Sequence, residues 1–116
     1  NQFVGDTGLL KATLNANTTS PATVFTYNKT KENTIIIEYS LKISSSNAMA
    51  VGTIKIITDG TNSEIMDDRL ETNDTSAVVF STPNPGSSSN DFKLEYKNTG
   101  SNNASMSYLL KRWLTS

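Results

Sequence analysis

The chain contains no cysteine and no histidine. Without cysteine there is no disulfide framework and no thiolate metal site. Without histidine there is no Ser-His-Asp or Cys-His triad, no imidazole acid–base chemistry and no ordinary zinc site. Neither sign of charge dominates: 10 basic and 11 acidic residues, scattered singly, leave a net charge of -1. Nothing electrostatic therefore points to a nucleic-acid or membrane partner. No apolar run exceeds a few residues, which excludes an apolar membrane-spanning helix and makes membrane insertion unexpected. No signal peptide is recognisable and the first residue is Asn1, which reads as a piece cut from a longer protein. The 116 residues are expected to form one domain spanning 1–116.

Asn, Ser and Thr fill the space that these absences leave. There are 13 Asn, 15 Ser and 16 Thr. Asn and Ser favour turns and Thr favours strands. Such polarity alone would suit a disordered chain, but the apolar residues recur at period two, which disorder has no reason to keep. In NTIIIEYSLKI, Ile35, Ile37, Tyr39, Leu41 and Ile43 alternate with Ile36, Glu38, Ser40 and Lys42. That is a strand with one buried face. AVGTIKII follows, and Gly52 in its middle predicts a bulge or a close backbone approach. Asp59-Gly60 marks a hairpin turn.

The same reading gives strands in GLLKATLN, ATVFTYN, SAVVFST and DFKLEYKN, a polar edge strand in SEIMDDRLE, and a loop in PNPGSSSND. The one helical possibility is a turn between Met66 and Leu70. About eight strands at a spacing of roughly 10–14 residues predict an all-β, antiparallel β-sandwich or jelly-roll-like fold.

The final strand, within Ala104–Leu114, has two apolar faces. Met106, Tyr108 and Leu110 share one, Leu109 and Trp113 the other. One face can enter the domain's own core while the other packs on a neighbouring chain. Leu109, Trp113 and Leu114 are therefore the candidate oligomer interface. The alternative is that Trp113, the single tryptophan, closes the end of a monomeric sandwich.

Acidic residues concentrate at Asp59, Glu64, Asp67, Asp68, Glu71 and Asp74. Calcium takes such oxygen ligands, but the spacing matches no EF-hand and Arg69 interrupts it. A solvated edge strand is the reading this pattern favours. No cleft is signalled that would hold a glycosidase carboxylate pair, so neither catalytic nor metal-binding residues are assigned. Four N-x-[ST] sequons, at Asn17, Asn28, Asn73 and Asn103, are about what this composition gives by chance. Tyr27, Tyr39, Tyr96, Tyr108 and Trp113 could stack on sugars, yet Tyr39, Phe92 and Tyr96 lie in phase with the core positions.

Two stretches carry a resemblance. LNANTTSPATVFTY (14–27) resembles the entry segment of small β-sandwich domains in phage tail fibres, tailspikes and related bacterial fibre-like adhesins. FKLEYKNTGSNNASMSYLLKRW (92–113) resembles their ending, with IIIEYSLKI and VGTIKII between. The resemblance implies a C-terminal fibre tip, assembled as a homotrimer. It would be non-enzymatic, need no cofactor, and attach to a host or prey cell-surface receptor such as a glycan. Its expected location is a virion tail fibre or a bacterial extracellular surface. Two other functions stay open: a carbohydrate-binding module of a secreted protein, and a purely structural virion domain.

Overall fold

The computed structural model describes residues 2–6, 9–28, 32–86 and 91–114; of residues 2–6, 32, 92 and 114 it describes the backbone alone. Nine strands and no helix are found among the described residues: β1 (Gln2–Asp6), β2 (Leu10–Leu14), β3 (Ala22–Asn28), β4 (Glu32–Ile43), β5 (Met49–Thr58), β6 (Ser63–Thr72), β7 (Val78–Ser81), β8 (Asp91–Asn98) and β9 (Ala104–Leu114). Met66–Leu70, where the sequence allows a helical turn, is extended. The expected strands all appear, joined by β1, which the sequence reading has no counterpart for. In the PNPGSSSND loop, residues 87–90 lie outside the described residues.

All pairings are antiparallel. The larger sheet runs β1-β9-β4-β5-β6, and β2 joins the same side of β9 as β1. The β1 strand lies along the C-terminal part of β9, with Gln2 opposite Leu114, and β2 along its N-terminal part, with Leu14 opposite Ala104. The smaller sheet runs β3-β8-β7.

The two sheets share one core, fed by alternate residues as the period-two pattern requires. Ile35, Ile37, Tyr39 and Leu41 of β4, Ile54 and Ile56 of β5, and Met106, Tyr108 and Leu110 of β9 meet Val78, Phe80, Leu94 and Tyr96 of the smaller sheet. Two aromatic pairs bridge the layers: Phe25 with Tyr108, ring centroids 6.2 Å apart, and Tyr39 with Phe80 at 5.5 Å, edge to face. The side chain of Phe92, a core residue by sequence, lies outside the described residues.

Gly52 makes a close approach rather than a bulge. It holds regular register between Tyr39 and Arg69. A Cβ there would stand 2.8 Å from the Tyr39 hydroxyl and 2.7 Å from the Asp68 carbonyl. The missing side chain is the space that the Tyr39 ring occupies.

One end of the molecule carries the connections 15–21, 44–48, 73–77 and 99–103, and these are tied to one another. Asn98, fully buried, donates through Nδ2 to the carbonyls of Leu14 (3.1 Å) and Asn102 (3.0 Å), and its Oδ1 accepts from the Gly100 amide at 3.1 Å. The amides of Asn17 and Ser44 donate to the carbonyls of Gly100 and Asn103. Asn73 Nδ2 donates to the Asn47 carbonyl at 3.2 Å.

Candidate functional surface

Strand alternation divides the larger sheet into an inward and an outward face, and the outward face carries several large apolar residues among its polar ones. On β9, Met106, Tyr108 and Leu110 are buried, while Leu109 is 38% exposed and Trp113 half-buried on the other side. These are two of the three interface residues that the sequence nominates; the side chain of Leu114 lies outside the described residues. Next to β9, Ile36 of β4 is half-buried on the same face. Beyond it β5 turns out Met49, Val51 and Ile57, and β6 turns out Met66 and Leu70, the last 76% exposed. Val51 stands opposite Leu70 in register, and with Met49 they line a shallow hollow of about 180 Å³.

Of the nine exposed large apolar residues among the described ones, six lie on this one face. The smaller sheet's outward side differs: β8 presents Lys93, Glu95 and Lys97 there, and β7 adds Val79. The β5–β6 group escaped the sequence reading, although its signal was present. In β5, as in β9, apolar residues occupy both parities: Ala50, Ile54 and Ile56 inward, Val51 and Ile57 outward.

Charges on the outward face are sorted. Glu64 and Asp68 sit on β6. Lys11, Lys42 and Lys111 sit on β2, β4 and β9, where Lys111 pairs with Glu38 at 3.0 Å. Lys55 lies between the two groups, flanked by Ile36 and Met66 in register.

The inward residues of β6 form a separate polar cluster at the open margin of the two layers. Arg69 Nη2 and Nε reach Asp67 Oδ2 at 2.5 and 3.1 Å. Arg69 also donates to the carbonyls of Thr75 and Val78, each at 3.1 Å. Its guanidinium lies 5.6 Å from the Phe80 ring centroid and 5.9 Å from that of Tyr39, a cation–π distance. The Tyr39 hydroxyl donates to Asp67 Oδ1 at 2.6 Å. Burial, and then that hydrogen bond, push the Tyr39 phenol far above its ordinary value. Arg69 spends its donors on protein atoms, so the cluster works as a clasp between β6 and the start of β7.

The six acidic residues are dispersed over different tasks. Asp59 accepts from the amides of Thr61 and Asn62 in the β5–β6 turn. Glu71 accepts from the Thr75 hydroxyl and amide, and Asp74 from the Ser76 amide. Glu64 and Asp68 face solvent. Among the described residues no group of three or more acidic side chains could hold a metal ion.

No family model, curated protein or solved structure matches this chain.

Of the aromatic candidates for sugar stacking, Tyr39, Tyr96 and Tyr108 are buried in the core. Tyr96 uses its hydroxyl to accept from the Asn15 amide at 3.0 Å. Tyr27 is half-buried between Phe25 and the Arg112 guanidinium, which lies 4.9 Å from its ring centroid. The sequons fall on turns and a strand end. Asn17 and Asn73 both adopt positive φ, a conformation that asparagine tolerates better than most residues. Asn103 accepts from the Ala16 amide through its side chain. These three asparagines thus have local structural work.

Proposed function

We propose that this chain is a non-enzymatic assembly and attachment domain of the fibre-tip kind, a jelly-roll-like sandwich that associates into a trimer through the outward face of its larger sheet. The observation that carries the reading is the concentration of Met49, Val51, Ile57, Met66, Leu70 and Leu109 on that face. Scattered exposed apolar residues are ordinary, whereas their concentration on one face of one sheet, here in two groups, points to an interaction site. Leu109 and Trp113 belong to the same face, as the two-sided β9 strand requires. Attachment to a cell-surface glycan, on a virion or at a bacterial surface, rests on the sequence resemblance. A sugar-binding module would present several exposed aromatics, and most tyrosines here are in the core.

The test is molar mass by light scattering at tens of micromolar. Wild type is expected to exceed 12.6 kDa severalfold. Leu70→Asp and Leu109→Asp should run as monomers with an unchanged β-type circular dichroism spectrum. A monomeric wild type sinks the assembly reading. A glycan array on the assembled protein then separates attachment from assembly alone.

A further inference from the structure

We infer that the outward face docks on a second copy of this chain half against half, the acidic β5–β6 half of one copy lying on the basic β2–β9–β4 half of the next. This rests on the assembly reading above and adds to it the partner's orientation. The first observation is size. Five strands about 4.8 Å apart, and ten residues long at about 3.4 Å each, give a face of roughly 800 Å². That matches the share of about 800 Å² per partner in a stable interface. A two-fold pair brings the whole face into one contact, whereas a closed ring divides it, each copy giving one half to each of two smaller contacts.

The second observation is charge. Outward on β5–β6 stand Lys55, Glu64 and Asp68; outward on β2, β9 and β4 stand Lys11, Lys42, Lys111 and Glu38. Among the described side chains one half is net acidic and the other net basic. Equal halves brought together would oppose like charges, and unlike halves attract. The apolar residues agree with that arrangement. The Met49–Val51–Leu70 hollow on one half can receive a protruding side chain, and the other half offers Leu109 and Trp113. Polar Ser105, Ser107 and Ser40 separate these two apolar groups within one copy, so neither group covers the other without a neighbour.

The experiment uses two charge-reversed forms of the full chain. One carries Glu64→Lys with Asp68→Lys; the other carries Lys11→Glu with Lys42→Glu. Sedimentation velocity is run on each alone and on their equimolar mixture, with circular dichroism on the same samples. Each variant alone should associate at least about tenfold more weakly than wild type, and mixing should restore association between unlike variants, because there each reversed half meets its complement. The inference is overturned if wild type associates and the reversed variants associate equally well, or if mixing two folded variants restores nothing. A monomeric wild type overturns the assembly reading instead, and this one with it. If one variant does not fold, the other folded variant alone decides by associating like wild type or not.

Discussion

The Tyr39 hydroxyl reaches the Asp67 carboxylate across Gly52, at 2.6 Å, through space that only a residue without a side chain leaves open. Three neighbouring strands meet there: β4 supplies the phenol, β5 the gap, and β6 the carboxylate. Regular strand register alone does not explain the contact; the absence of one methyl group does.

Gly52→Ala should therefore destabilise the fold by about 1–3 kcal/mol, the range for overpacking a well-fitted site. The new Cβ would meet the Asp68 carbonyl at 2.7 Å and the Tyr39 ring at 2.9 Å. Tyr39→Phe should cost about 1–2 kcal/mol through the lost hydrogen bond. Combined, the two changes should cost less than their sum, because removing the hydroxyl relieves part of the clash. Urea denaturation of the four proteins measures this, and strict additivity would show that the close approach is not the cause.

Asn98→Ala should cost about 3 kcal/mol. Three hydrogen bonds of about 1 kcal/mol each disappear, and the carbonyls of Leu14 and Asn102 and the amide of Gly100 lose their shared partner. The loss is expected to loosen connections 15–21 and 99–103 first. Amide hydrogen exchange should accelerate there before it does in β4 or β5. Uniform acceleration across all strands would contradict a local role.

Acid should weaken the molecule through its turns. Hydrogen bonds from Asn62 and Thr61 hold the Asp59 carboxyl below its ordinary value; Ser76 does the same for Asp74, and Thr75 for Glu71. A depressed carboxylate favours the folded state above its unfolded pKa, and that contribution is lost as pH falls through the folded value. These contributions should be complete above about 4.5 and fade below it. Asp59→Asn should be less stable than wild type at pH 7 and nearly equal at pH 2, by thermal unfolding. A gap that widens on acidification would refute the assignment. At the alkaline limit the sign is opposite: the raised Tyr39 pKa stabilises fully below about 10 and is lost as pH rises beyond it.

Sequence alternation made β4 and β9 legible because each has a run of apolar inward positions: Ile35, Ile37, Tyr39 and Leu41, then Ala104, Met106, Tyr108 and Leu110. It also placed Leu109 and Trp113 on the face opposite the core. The β6 strand was harder. Its inward positions alternate Ile65 with Asp67 and Arg69, since the clasp at the margin needs charge where a core needs hydrocarbon. Met66 and Leu70, four apart, then imitate a helical spacing. The β1 strand has no pattern of its own to read. Its five residues include Gly5 and Asp6, and its pairing is decided by β9. The β5–β6 half of the outward face was missed for a different reason. Val51 and Leu70 stand 19 positions apart in sequence, and only the hairpin register brings them together.

The position of β9 between β1, β2 and β4 has a consequence for the order in which the molecule can form. A chain ending before residue 104 can make the β4-β5-β6 meander and the β3-β8-β7 sheet, since those pairings need nothing later. It cannot place β1 or β2, whose strand partner is β9. During synthesis the first strands must therefore wait for the eleven residues of β9, and β4 meanwhile keeps one unpaired edge carrying Ile35, Ile37 and Leu41. Joining segments so distant in sequence closes a long loop, which slows folding. Exposed strand edges in that interval are where a nascent copy is most open to pairing with the wrong neighbour.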